Sequence, residues 1–350
     1  MRGLIPGLRT KNDGGYLSHP TVKQSLPRVS IVIPMLNETD AIARCIRSIL
    51  DQSYPVELIE IIVVDGMSRD GSRERVAELA KEHANIRLLD NPQKRTPVAL
   101  NIGARNAQGS VVIILGAHTQ IHQDFVRLNI HYMNELNVKC VGGTQLNVGE
   151  TFLQSAIGLA MGSFFGIPSA PYRFLPKKRF VDTVVYASYC KELFEEIGYF
   201  DEELHISEDA EFNWRIRKAG HKIFYTPEII SYYYPRKTLG RLFKQFFNYG
   251  ILRVNVIKKH QDAVKAIHLL PPLFILAIII LAFASFHLPV FGLLLGILTI
   301  LYAFYICWGS IFTSLKNKSG KYLFILPFVF LTMHISWGLG FWVGLAKTYR

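Results

Sequence analysis

The sequence predicts an α/β domain built on a mainly parallel sheet and followed by C-terminal transmembrane helices. Three observations carry this. Long β-branched runs alternate with segments of helical periodicity through the first third of the chain, the pattern of successive strand-helix-strand units. After Asp262 no acidic residue occurs, and from Leu269 onward the chain is almost wholly apolar. The net charge of +12 is unevenly placed: residues 1–228 hold 26 basic and 26 acidic side chains, so the whole excess lies beside or within the apolar tail.

Residues 1–27 are rich in Gly, Pro and polar side chains, have no apolar core of signal-peptide length, and read as a flexible leader. Val29-Ser30-Ile31-Val32-Ile33-Pro34, stopped by proline, and Ile59 to Gly66, stopped by Asp-Gly, read as buried parallel strands. Between them Ala41, Ile42, Cys45, Ile46, Ile49 and Leu50 recur at helical spacing. A helix over Arg73–His83, a short strand over Ile86–Leu89, a helix over Pro97–Asn106 and an apolar strand over Val111–Leu115 continue the alternation. Val138–Thr144 reads as a further strand and Pro171–Lys178 as a mobile basic loop. Asp209–Ala219 reads as a helix with Phe212 and Ile216 on one face, Ser207 as its N-cap and Gly220 as its stop.

The globular domain is expected over 28–228, a basic and aromatic interfacial segment over 229–268, and the membrane region over 269–350. Leu269–Phe286, Leu288–Trp308 and Tyr322–Ala346 each approach the ~20 residues a helix needs to cross a bilayer, the first interrupted by Pro271-Pro272. Two or three spans are expected. Arg236-Lys237, Arg241, Lys244, Arg253, Lys258-Lys259 and Lys265 precede the first span, and Lys316, Lys318 and Lys321 follow the second. The positive-inside rule then puts residues 1–265 in the cytoplasm, at the inner membrane. A basic excess that hugs the hydrophobic tail argues against nucleic acid as partner, and so few spans leave little room for a transporter's midplane site. Cys45, Cys140, Cys190 and Cys307 show no paired spacing and fit reduced core positions.

Parallel sheets bind ligands beyond the carboxyl ends of their strands. Those ends carry Asn37-Glu38, then Asp65-Gly66 with Ser68, Asp70 and Gly71-Ser72, then Gly116-Ala117-His118. Neither a dinucleotide-binding glycine fingerprint nor a P-loop lysine is present. Acidic residues at two strand ends suit donors such as ribose hydroxyls and base N–H groups, although Asp65-Gly66 alone is also a common turn. Glu208-Asp209 opens a helix, where carboxylates either complement the dipole or take a proton from an incoming hydroxyl. His118 and His122 have zinc-ligand spacing but lack a metalloprotease glutamate between them.

In order and spacing, Ser30 to Pro34 with Asn37-Glu38, Val63-Val64-Asp65-Gly66 with Ser68, Asp70 and Gly71-Ser72, Asn91-Pro92 with Arg95, Asn101-Ile102-Gly103 with Gly109, and Glu208-Asp209 with Arg215 and Gly220 form one constellation. It resembles the family 2 inverting glycosyltransferases, particularly the membrane-anchored succinoglycan-type branch of exopolysaccharide synthesis, from about Val29 to Gly250. The resemblance implies a GT-A fold, Rossmann-like, and transfer of a sugar from a nucleotide-sugar, foremost a UDP-sugar, to a lipid-linked glycan. It implies Asp209 as the base with Glu208 beside it. It also implies Pro34, Asn37, Glu38, Asp65, Ser68, Asp70, Arg95, Asn101, Gly103 and Arg105 as nucleotide-sugar-binding residues.

The chain departs from the family pattern after the third apolar strand, where Gly116-Ala117-His118 replaces Asp-x-Asp. Mg²⁺ or Mn²⁺ would then rest on His118 and the donor's phosphates, or the cations Lys94, Arg95 and Arg105 would take its place. Gln245 stands where processive synthases carry Gln-x-x-Arg-Trp, but Arg-Trp is missing, which points to one sugar per encounter. The aromatic and basic stretch from Tyr232 to Phe247 suits an interfacial helix. A second reading is a degenerate transferase that serves as a nucleotide-sugar-binding scaffold; Gly116 favours it, and Asp65, Glu208 and Asp209 oppose it.

Overall fold

A computed structural model describes residues 25–204, 208–260, 262 and 264–346. Most of the expected leader and the expected cap Ser207 lie outside the described residues.

The chain begins with strand β1 (Val29–Met35), α1 (Ile42–Leu50), β2 (Ile59–Asp65), α2 (Ser72–Glu82), β3 (Ile86–Asp90), α3 (Thr96–Asn106) and β4 (Val111–Ile114). Every residue of β2 is buried, as befits a strand covered on both faces, including Glu60, which accepts from Ser30 Oγ and pairs with Arg87. β5 (Thr119–Ile121), α4 (Phe125–Leu136), β6 (Cys140–Asn147), α5 (Phe152–Met161), β7 (Arg179–Val181), β8 (Ser188–Cys190), α6 (Glu192–Glu196), α7 (Glu208–Lys218) and β9 (Ile223–Tyr233) complete the domain.

The strands form one sheet in the order β3-β2-β1-β4-β8-β6-β9-β5, with β7 also on β9. Its first half is parallel, as expected, with Ile31 opposite Ile61 and Ile113. Beyond β4 it becomes mixed: β8 runs antiparallel to β4 and β6, while β6 and β9 are parallel. The reason is connectivity. A parallel neighbour needs a covering crossover, whereas β8 enters from the loop after β7 and meets β4 head to tail. β9, where no strand is expected from the sequence, runs through the boundary anticipated at 228/229 and ends at Tyr233.

The sheet is covered on both faces. Val29, Ile31, Ile33 and Ile46 belong to the layer under α1, α2 and α4, and Val32, Leu100, Phe194 and Phe212 to the layer under α3, α6 and α7. Gly103 sits where α3 crosses β1; a Cβ there would lie 2.2 Å from Val32 Cγ1.

Four long helices follow: α8 (Leu239–Lys259), α9 (Ala266–Ala284), α10 (Pro289–Lys316) and α11 (Leu326–Ala346). The last three are each long and apolar enough to cross a membrane. They are not equivalent. None of the apolar window of α10 is buried within the protein, whereas 44% of that of α11 is. α11 runs parallel to the amphipathic α8, brought close by Gly340 beneath the Phe247 carbonyl and Gly250 beneath that of Trp337. At its start Leu326 and Val329 share a core with Ala156 and Ile157 of α5. At its end Lys258 donates to the carbonyls of Gly344 and Leu345, while the adjacent Lys259 pairs with Asp201 and Glu203 of the domain. Both ends of this helix, about 32 Å long, therefore rest on elements tied to the catalytic domain.

Several cations expected to face a lipid surface are engaged instead. Lys237 pairs with Glu150, and Lys265 with Asp182. Arg253 is turned inward on α8, with its Nε buried.

Candidate active site

A cavity of about 230 Å³ opens at the carboxyl ends of β1, β2 and β4, where the sequence places its candidate residues. Pro34, Glu38, Arg95 and His118 line it, together with Gly66, Asn91, Lys94 and Gly116. The loops after β1 and β2 are laced together. Asn37 N–H donates to Ser68 Oγ at 2.8 Å, and Arg69 N–H returns to Asn37 Oδ1 at 2.9 Å. Glu38 N–H donates to Ser72 Oγ at 2.7 Å, and Thr39 N–H to Asp70 Oδ2 at 3.1 Å. Asn37 at φ 55° and Met67 at φ 62° take left-handed turns that these bonds hold in place.

Asp65 lies beneath the cavity, fully buried. Its carboxylate accepts from Ser68 Oγ at 2.6 Å and from Arg73 at 3.2 Å, so it braces the loop that forms the wall. Arg95 donates to the Glu202 carbonyl at 3.1 Å and remains at the rim. Asn91 donates to the Arg95 carbonyl at 2.9 Å, while its own Oδ1 is buried without a partner among the described residues. A buried acceptor of this kind is costly unless a ligand N–H or hydroxyl satisfies it.

Of the expected nucleotide-sugar-binding residues only Pro34, Glu38 and Arg95 line the cavity; Asn37, Asp65, Ser68 and Asp70 brace the loops beside it, and three lie on α3. Asn101 clamps the strap before α7, exchanging 2.9 Å bonds with the N–H and carbonyl of Phe200. Gly103 packs on Val32, and Arg105 stacks on the Tyr199 ring at 4.4 Å. None of the three lines the cavity.

At the position that carries an acid in Asp-x-Asp, a Cβ on Gly116 would meet Thr119 Oγ1 at 3.2 Å and the Tyr186 hydroxyl at 3.5 Å. The Thr119 contact is tight and that with Tyr186, a residue held at φ 51°, is ordinary, so a side chain at 116 would press first on Thr119. His118 Nδ1 lies 3.1 Å from Glu38 Oε1. A carboxylate on one ring nitrogen is the usual support of a metal-binding histidine, leaving Nε2 as ligand. Among the described residues no group of three or more His, Cys, Asp or Glu converges to hold a metal. The residues present thus fit a cation only if the donor's diphosphate supplies the remaining oxygens.

Glu208 and Asp209 open α7, and that helix is immobilised. Phe212 is fully buried and packs on Phe194, Phe200 and Tyr189. Arg215 binds both oxygens of buried Glu211 at 2.8 and 2.9 Å and donates to the carbonyls of Ile197, Gly198 and Tyr199. Asn213 ties the helix to the Val184 carbonyl at 2.9 Å, two residues before Tyr186. Burial, reinforced by the Asp209 charge, pushes the Glu208 carboxyl up to about 8. Burial also raises Asp209, opposed by the Ala210 N–H and the charges of Arg253 and Arg173. The pair therefore holds a proton near neutrality more readily than ordinary carboxylates do.

Arg173 links the two regions. Its guanidinium lies 5.6 Å from the Tyr233 ring, whose edge meets His118 at 5.8 Å, and its charge reaches Asp209. Sequence reasoning passed over Arg173 and counted Arg253 with the surface cations. The signal for Arg253 was present: it follows Phe246 and Tyr249 along the apolar stripe of α8.

Comparisons with known proteins agree with this geometry. Residues 30–198 match the model for Glycosyl transferase family 2. The chain is 29% identical over 327 residues to a dolichyl N-acetyl-α-D-glucosaminyl phosphate 3-β-D-2,3-diacetamido-2,3-dideoxy-β-D-glucuronosyltransferase of Methanococcus voltae, covering 91% of this chain and 97% of that one. It is 28% identical over 317 residues to the succinoglycan biosynthesis protein ExoA of Rhizobium meliloti, covering 89% and 93%. Among solved structures, the mannosyltransferase PcManGT of Pyrobaculum calidifontis, in complex with GDP-Man and Mn²⁺, superposes with a TM-score of 0.60 at 21% identity, covering 91% of this chain and 87% of that one. The sheet order, the cavity at its strand ends and these similarities together identify the chain as a glycosyltransferase carrying a family 2 domain with the GT-A fold.

Proposed function

We propose that the protein is a membrane-anchored inverting glycosyltransferase that moves one sugar from a nucleotide-sugar, foremost a UDP-sugar, to a lipid-linked glycan at the cytoplasmic face of the inner membrane. The observation that carries this reading is the Glu208-Asp209 pair at the mouth of an immobilised helix, joined through Arg173 and Tyr233 to the His118 side of the cavity. The substrates named for the Methanococcus and Rhizobium relatives, a lipid-linked sugar and a polysaccharide, support the acceptor class.

In this mechanism the nucleotide lies in the cavity beneath Lys94 and Arg95, with Asn91 Oδ1 accepting a base N–H or ribose hydroxyl. Asp209 takes the proton of the acceptor hydroxyl as its oxygen bonds to the anomeric carbon. The bond from that carbon to the diphosphate oxygen breaks, and the diphosphate leaves with the electron pair. Attack opposite the leaving group inverts the anomeric centre. The rim cations Lys94 and Arg95 attract the developing phosphate charge. His118, supported by Glu38, would hold Mg²⁺ or Mn²⁺ against the diphosphate, where the cation neutralises the leaving group.

Anchoring follows from the apolar hairpin α9–α10, whose outer side chains, such as Phe283, Ile300 and Phe304, are two-thirds exposed. The α11 contacts favour two crossing helices with α11 lying along the membrane interface. The test is transfer of labelled sugar from a panel of nucleotide-sugars to polyprenyl-linked acceptors by the full chain in nanodiscs. Absence of turnover with every donor would return the reading to a nucleotide-sugar-binding scaffold.

A further inference from the structure

A second cavity, of about 340 Å³, lies where the α9–α10 hairpin roots into the catalytic domain. Its volume falls in the range of small-molecule sites, roughly 300–1,000 Å³. Five segments meet around it: the turn Phe165–Ser169 after α5, then Phe246 and Tyr249 of α8, Phe274 of α9, Tyr302 of α10 and Trp337 of α11. The lining is overwhelmingly aromatic and aliphatic, and the cavity is open on one side to the zone where the hairpin leaves the domain.

Polar atoms without partners among the described residues lie behind its lining residues Tyr249 and His268 rather than in the lining itself. Gln245 donates to the Tyr249 hydroxyl at 2.8 Å and to the Tyr233 hydroxyl at 3.0 Å, but its Oε1 is buried and unsatisfied. Arg253, one turn beyond Tyr249 on α8, has a buried Nε with no partner among the described residues, as does Arg173. Both guanidinium charges act on Asp209. Two arginines with buried, unused donors cost stability unless an anion completes them.

We propose that this cavity is the seat of the lipid part of the acceptor: the first units of an isoprenoid chain occupy the aromatic pocket and the phosphate linking lipid to glycan rests on Arg253 and Arg173. The geometry orders the three parts of such a molecule. Its apolar chain enters from the membrane between α9, α10 and α11. Its phosphate meets the arginines, and its first sugar is then delivered to Asp209. Gln245 Oε1 accepts from a hydroxyl of that sugar. An anionic headgroup of an ordinary phospholipid offers the same phosphate, but a branched isoprenoid presents methyl groups that fit between aromatic rings, and it alone carries a sugar to the carboxylates.

This assignment rests on the transferase reading above, and its test is a binding measurement that stands apart from turnover. The full chain in nanodiscs is photolabelled with a diazirine-bearing polyprenyl phosphate, and the label is mapped by peptide mass spectrometry. The expected result is labelling at Phe246, Tyr249, Phe274 or Trp337, displaced by unlabelled polyprenyl phosphate and about tenfold less effectively by phosphatidylglycerol. Ser169→Trp, which fills the pocket, and Arg253→Gln should each lower labelling about tenfold or more, with nucleotide-sugar binding serving as the check on folding. Equal displacement by phosphatidylglycerol would reduce the pocket to a general lipid site, and labelling confined to the outer face of α10 would overturn the proposal even if a variant failed to fold. Labelling in the pocket without any sugar transfer would leave the site standing and remove the function; transfer without labelling there would do the reverse.

Discussion

Glu38 Oε1 lies 3.1 Å from His118 Nδ1, across the mouth of the nucleotide cavity. That contact engages Nδ1 and leaves Nε2 to serve as the metal ligand in the proposed mechanism. His118→Ala should lower kcat/KM by about 10- to 100-fold and remove any stimulation by Mg²⁺ or Mn²⁺. Titrating each cation against both proteins checks this. A variant that keeps its full metal response would show that the cation, if used, is held elsewhere.

The paired carboxyls set a pH dependence. Glu208 is raised to about 8 and Asp209 is also raised, so transfer should climb with pH along a limb well above the usual carboxylate range. The Asp209 charge helps raise Glu208 and not the reverse, so Glu208→Gln should leave the limb set by Asp209 in place and remove the titration near 8. The effect on stability has the opposite sense. The folded protein retains protons that the unfolded chain releases, so the contribution is fullest below about 4.5 and is lost as pH rises toward about 8. Thermal unfolding in detergent across that window should therefore fall more steeply for the wild type than for Glu208→Gln.

Lys258 and Lys259 bind opposite partners, the end of α11 on one side and Asp201 with Glu203 on the other. With α11 lying along the interface, as proposed, only α9 and α10 cross. A C-terminal tag should be reached from the same face as the catalytic domain, and a cysteine replacing His287 at the hairpin tip from the opposite face. Impermeant labelling in oriented vesicles decides it, and a tag on the far side would restore a third span.

Gly103 belongs to the packing of α3 on β1 rather than to the cavity. Gly103→Ala should destabilise the protein by about 1–3 kcal/mol, because its Cβ would overlap Val32, while leaving the KM for donor unchanged in the folded fraction. A selective rise in donor KM would instead put Gly103 in contact with the nucleotide.

The first half of the fold was legible because β1, β2 and β4 are buried on both faces and write themselves as unbroken β-branched runs. The mixed half was not. β7 and β8 are three residues each and take their place from partners distant in sequence, too short to carry a periodicity. Of the candidate residues at strand ends, Pro34, Glu38 and His118 line the cavity, while Asn37, Asp65, Ser68 and Asp70 brace its loops. Asn101, Gly103 and Arg105 belong to the motif by spacing, yet about two to three helical turns along α3 from Arg95 they meet strap and sheet. Arg253 was marked by its place on the apolar stripe of α8, but Arg173 and Tyr186 lie in irregular segments whose neighbours come from distant parts of the chain.

The most direct test of the account is Asp209→Asn in the full chain, measured for both nucleotide-sugar binding and sugar transfer. The account predicts that donor binding persists while transfer falls by about 10²-fold or more. Transfer at the wild-type rate would contradict Asp209 as the base and, with it, the placement of the acceptor at the mouth of α7.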